Sequence, residues 1–222
     1  MRRFDLATCA ILLCFGVLGP GSAGGQSPLS LQKPAACAQF QINDKASKAL
    51  PPGAPAKSGC NTRQVANGHP LPDTRCTPGA INPTLTAKVL QDPAFSTKCV
   101  RNDPTSEEEK HSTYRAYGIP EPANNDGQNQ TCELDHLVPL ELGGSDTLDN
   151  IWPQCGPSGV ELRDRFFKLK DMVEDHLAEF VRHGKVDLED VQKRIAADWT
   201  EFLEAAKETC ARRNCKEHDI GQ

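Results

Sequence analysis

No two of the ten cysteines in this 222-residue chain stand at the Cys-x-x-Cys interval, so structural zinc held by cysteines is not expected. No apolar run after residue 25 is long enough to span a bilayer. A surplus of positive charge is missing too: 25 Lys and Arg stand against 30 Asp and Glu. With the first 25 residues set aside, Arg2, Arg3 and Asp5 drop out and 23 basic residues face 29 acidic ones, a net charge of −6. That is not the footprint of a strong nucleic-acid binder, and it leaves polyanion recognition to a local basic face. Arg163, Arg165, Lys168 and Lys170 offer one such face, and Arg212, Arg213 and Lys216 another. The plain alternative for each is a solvated helix face. No internal repeat is evident, and the length suits one domain with irregular flanks.

Arg2 and Arg3 precede an apolar run from Leu6 to Leu18, and Gly21-Ser22-Ala23 offers small residues for cleavage. Residues 1–25 therefore read as a secretory signal peptide, the alternative being an uncleaved anchor. Its removal takes away Cys9 and Cys14 and leaves eight cysteines, an even number that argues for disulfides in an exported protein. Of about 105 connectivities, consecutive pairing (37–60, 76–99, 132–155, 210–215) is the simplest expectation. The expected location is secreted or periplasmic, with no stable membrane insertion after signal cleavage.

Residues 26–75 are rich in Pro, Gly, Ala, Ser, Gln and Asn, and Ala-Leu-Pro-Pro-Gly-Ala-Pro-Ala at 49–56 suits neither a helix nor a central strand. They read as an irregular, partly ordered N-terminal arm. Turn signals break up 76–105, with a short helix near 84–91. Ser106 and Glu109 form a capping-box pattern, which predicts a helix over about 107–117 that Gly118 ends. Residues 132–138 and 149–153 are short strand candidates around Gly143-Gly144. In 160–183 the residues Phe166, Leu169, Val173, Leu177 and Phe180 recur at helical steps. Asp187 caps a further helix whose inner face is Leu188, Val191, Ile195, Trp199, Phe202 and Ala206.

The chemistry-bearing stretch is Glu133-Leu134-Asp135-His136-Leu137-Val138-Pro139-Leu140-Glu141-Leu142-Gly143-Gly144, followed by Asn150-Ile151-Trp152-Pro153-Gln154. Phosphodiester hydrolysis needs a base for water, a cation for phosphate charge and something to hold the base. Neutral imidazole suits a general base near neutral pH, and a carboxylate oxygen suits Mg²⁺ or Mn²⁺. Adjacent strand residues point to opposite faces, so Asp135 and His136 converge only where the strand bends. Asn150 either bridges the two sides of the loop or binds the metal through its amide oxygen. The remaining ligand must come from the following helix, where Asp164, Asp171, Glu174 and His176 are candidates. The ordinary alternative for Asp171 and Glu174 is pairing with Lys168, Lys170 or Arg165.

At these residues the chain resembles the HNH, or His-Me finger, endonucleases. Thr77-Pro78-Gly79-Ala80-Ile81-Asn82-Pro83, Lys170-Asp171 with Glu174 and Leu177, and Gly184-Lys185-Val186 through Trp199 resemble small exported bacterial HNH-like proteins, so the likeness covers about 76–203. It implies an α+β fold: a mainly helical, disulfide-stapled small domain around a ββα-metal unit. The expected organisation is signal peptide 1–25, arm 26–75, HNH-like nuclease domain 76–210 with its ββα core at about 132–183, and tail 211–222. The implied catalytic set is His136 as general base, Asp135 and Asn150, with Asp135 and Asp171 as metal ligands. The chain departs from the family pattern where the helix His should stand and where residues 155–167 resemble an insertion. The implied substrate is DNA or RNA, and an immunity protein is left open. The other class of reading is a non-catalytic HNH-like binding or structural module of the periplasm or cell surface.

Overall fold

A computed structural model describes residues 33–50, 56–101 and 105–213, with side chains described from Lys110 onward in the helix that begins at Thr105. The signal-peptide reading, the capping pair Ser106 and Glu109, Cys215 and the end of the tail lie outside the described residues. The fold is α+β, with small sheets among helices.

The region expected to be an arm is laced onto the rest where it is described. Strand β1 (Lys48–Ala49) and hairpin strands β2 (Arg63–Gln64) and β3 (Pro70–Leu71) precede β4 (Ala80–Ile81), and β1 pairs antiparallel with β4. Helix α1 (Ala87–Leu90) starts at Thr86, whose hydroxyl accepts from Val89 N. Helix α2 (Thr105–Ala116) closes this half, and its last turn carries the buried Tyr114. Tyr117, just beyond it, bonds Thr77 Oγ1 at 2.8 Å and accepts from the Asp73 amide at 3.2 Å.

Strands β5 (Cys132–His136) and β6 (Ile151–Cys155) pair antiparallel, with Cys132 opposite Cys155 and His136 opposite Ile151. Helix α3 (Phe166–Arg182) packs against both strands, and α2 packs against β6. Gly184 ends α3. Helix α4 (Leu188–Ala197) is capped by Asp187, whose carboxylate accepts from Asp190 N. The expected single second helix is broken at Asp198, which turns extended and caps a short 3-10 turn, Trp199–Phe202, before α5 (Leu203–Arg213). Helices α3 and α5 pack together over Trp199, Leu203 and Ala206.

Two expected disulfides are corrected. Among the described residues the bridges are Cys37–Cys99, Cys60–Cys76 and Cys132–Cys155. The turn Ala35–Phe40 lies against the turn Thr97–Cys99, where Phe40 meets Phe95 edge to face at 6.0 Å, so Cys37 meets Cys99. Cys60 and Cys76 flank the β2–β3 hairpin, whose ends converge. Among the described bridges the 132–155 pairing is the one that matches the consecutive scheme, and the expected 210–215 pairing lies outside the described residues. The stripe on α3 is also rotated from the expected one: Phe167, Lys170, Asp171, Val173, Leu177, Ala178 and Val181 are buried, whereas Phe166, Leu169 and Phe180 are half-buried. No helix among the described residues is long and apolar enough to cross a membrane.

Candidate active site

The turn between β5 and β6 begins where the ladder ends. Leu137 N still donates to Asn150 O at 2.8 Å. Then Pro139 starts a 3-10 turn, Leu140–Leu142, which Gly143 ends at φ +79°. Gly144 follows where the chain doubles back: a Cβ there would lie 1.8 Å from Val138 O, so only glycine fits. Asn150 ties this turn shut. Its Oδ1 accepts from Val138 N at 2.9 Å and from Ala80 N at 3.3 Å, and its Nδ2 donates to Val138 O and Ser145 O at 2.8 Å each. Of the two roles open to it, bridging is the one its contacts support. Gln192 of α4 adds a bond from Nε2 to Leu142 O at 2.7 Å, and Ser145 N donates to Ala80 O at 3.0 Å.

His136 therefore leaves the strand at a fixed place. Its Nε2 lies 2.7 Å from Asp146 Oδ1, and Asp146 Oδ2 receives Lys110 Nζ at 2.9 Å. Both Asp146 and Lys110 are buried. An ionised carboxylate only accepts, so Nε2 carries the proton and the neutral ring has its lone pair on Nδ1. Sequence reasoning missed Asp146. The available signal was its place beside the Gly-Gly turn, close to the catalytic candidates along the chain.

Asp135 points inward, to the other side of the strand end. Its Oδ2 accepts from Trp152 Nε1 at 3.2 Å, and Lys170 Nζ of α3 lies 3.0 Å from each of its oxygens. Lys170 Nζ also donates to His136 O at 2.6 Å and pairs with Glu174. Two residues earlier on α3, Lys168 Nζ bonds Asp171 Oδ2 at 2.7 Å and stands 4.0 Å from Glu133. Two ammonium groups are thus each flanked by two carboxylates. These are not solvated-face pairs, because Lys170 is fully buried and so is Asp171, the partner of the half-buried Lys168. Arg165 is buried too, donating to Pro157 O at 3.0 Å, while Arg163 is exposed.

A cavity of about 110 Å³ opens here, lined by Glu133, Asp135, His136, Glu141, Asp171, Glu174, Asp175 and Arg101 together with Leu134 and Leu140. The structure thus gathers the sequence candidates Asp135, His136, Asp171 and Glu174 around one space. Asn150 stands behind it, in the turn. Asp164 is exposed in the 3-10 turn before α3 and does not line the cavity. His176 packs on Phe180 at 4.8 Å and lines a different hollow with Met172 and Thr209.

The carboxylates outnumber their counter-cations, and their titration reflects it. Burial first, then the charges of Asp171 and Asp135, pushes Glu133 up to about 7. Burial raises Asp135 against the pull of Lys170, and burial also raises Glu174 well above the usual range. Lys170 is raised: burial works against its charge, but Asp135 and Glu174 outweigh it. No family model, no curated protein and no solved structure matches the chain.

Proposed function

We propose that the chain is an exported, metal-dependent endonuclease of the HNH type that hydrolyses phosphodiester bonds of DNA or RNA. The observation that carries this reading is the His136–Asp146 pair at the rim of an oxygen-lined cavity, on two antiparallel strands followed by a helix. The three disulfides support the exported part of the reading.

The lining has the donor chemistry of a hard divalent cation, although among the described residues no three His, Cys, Asp or Glu side chains already converge to hold one. Six carboxylates face the cavity and neither cysteine nor a second histidine does, which is the donor chemistry of Mg²⁺ or Mn²⁺. Asp135 and Asp171 are the proposed holders, Glu174 stands with them as a further ligand to the same cation, and Glu133 is on the same wall. When bound, the cation would stabilise negative charge on the scissile phosphate. The chain's own residues do the rest. His136 Nδ1 takes a proton from water as the hydroxyl attacks phosphorus, and the leaving oxygen takes a proton from solvent. Asp146 holds the imidazole in the tautomer with its lone pair on Nδ1, and Asn150 holds the turn that presents it.

The mature protein is expected to nick supercoiled plasmid or cleave RNA with Mg²⁺ or Mn²⁺. His136→Ala should lower the rate by roughly 10²–10⁴-fold, the usual worth of a positioned base, with an unchanged circular dichroism spectrum. Equal rates for the two proteins would remove the mechanism. A second reading, a non-catalytic binding module, is favoured by one feature: Lys168 and Lys170 already partner the carboxylates. Absence of both cleavage and metal binding in the mature protein would decide for it.

A further inference from the structure

Lys170 sits in a place that a metal would suit. Its ammonium is enclosed by both oxygens of Asp135 at 3.0 Å, the backbone oxygen of His136 at 2.6 Å and the carboxylate of Glu174, and its side chain is 0 % exposed. Two carboxylates and a carbonyl form an all-oxygen cage of the kind hard divalent cations take. The ammonium is tethered to α3 and reaches β5, so it joins the same two elements that a bridging cation would join.

We propose that Lys170 is a built-in occupant of this cage, and that its ammonium and a divalent cation are alternatives at the Asp135–Glu174 pair. The inference rests on the metal-dependent reading of the site and names the residue that governs entry of the cation. One ammonium stands against two carboxyl groups, and Asp171 and Glu141 line the same cavity. A divalent cation would balance the pair fully. The competition has a consequence for affinity. Metal must displace an ammonium that already makes bonds to three partners, so the wild-type site binds weakly and the site without the ammonium binds tightly. Lys168 does not fill this role for Asp135, because its partners are Asp171 and Glu133.

The test uses Mn²⁺ alone, without nucleic acid. Mn²⁺ binding to the mature protein is read by the electron paramagnetic resonance signal of the free ion, and the melting temperature is recorded with Mn²⁺ and with chelator. Lys170→Met and Lys170→Gln should bind Mn²⁺ at least tenfold more tightly than the wild type and gain melting temperature on its addition. Lys193→Met, which removes an exposed ammonium paired with Glu189, should stay within twofold of the wild type. Dissociation constants for both Lys170 variants within twofold of the wild-type value would overturn the proposal. If neither variant folds alone, refolding yield decides: rescue by Mn²⁺ supports the competition, and indifference to Mn²⁺ overturns it. Tight binding by the variants, with no cleavage of nucleic acid by the wild-type protein, would keep this inference and end the nuclease reading instead.

Discussion

At Asn150 a short side chain does the work of a strand. All four of its amide bonds go to backbone groups of the β5–β6 turn and of β4, and the residue is fully buried. Asn150→Ala leaves those amides and carbonyls without partners and out of reach of solvent. The expected loss is about 4 kcal/mol, since each stranded buried polar group costs about 1–3 kcal/mol. Urea denaturation would measure it, and a loss under about 1 kcal/mol would mean the turn holds itself. This residue, Asp135 and His136 were legible in the sequence because their spacing from Pro139 and the Gly-Gly pair is local. The pairing of Lys170 with Glu174 was legible as well, but Asp146, Lys110, Gln192 and the reach of Lys170 to Asp135 were not, because each is set by a partner that chain order does not identify. Lys170 did leave a trace: it shares a helical face with Val173, Leu177 and Val181 at three- and four-residue steps. A lysine on an apolar stripe demands a buried acid.

The elements themselves were largely written in local signals. Helix periodicity located α3, Asp187 located the start of α4, and short apolar runs located β5 and β6. The phase of the α3 stripe was missed because aromatic Phe166 and Phe180 look more core-seeking than Lys170 and Asp171. The break at Asp198 was missed because Ile195, Trp199 and Phe202 keep helical spacing through it. Cysteine connectivity was illegible beyond the hairpin pair, since spacing carries no record of which turns meet. The bridges nevertheless differ in expected worth. Closing a longer loop removes more freedom from the unfolded chain, so Cys37–Cys99, with a separation of 62, is worth more than Cys132–Cys155, with a separation of 23. Paired Cys→Ser replacement should cost about 4 kcal/mol at the first and about 3 kcal/mol at the second. Cys132–Cys155 closes the end of the hairpin remote from His136, so its loss should lower the melting temperature and spare metal binding well below that temperature. A loss of metal binding in the folded variant would show that the bridge aligns the site.

For the whole molecule, acidity governs behaviour. Net charge alone argued against a polyanion as substrate, yet it did not reveal that the acids crowd one cavity. That crowding makes folding pH-dependent. Glu133 is raised from its ordinary 4.5 to about 7, so the folded protein holds a proton there that the unfolded chain has released. Stability is therefore undiminished below about 4.5 and falls as pH rises through the window to about 7. Asp135 and Glu174 are shifted in the same direction and add to the fall. Asp73 works at the other edge. Its carboxyl is held down to about 2, chiefly by the Arg75 side chain, so its contribution is present above 3.8 and is lost as pH falls toward 2. Metal-free protein should accordingly melt highest in mildly acidic solution and lower at pH near 8. Glu133→Gln removes the group that must ionise, so it should raise the melting temperature at the alkaline end and change it little near pH 5. Melting curves of both proteins across that range, in chelator, measure the effect. A variant whose profile runs parallel to the wild type would show that Glu133 ionises freely in the folded state.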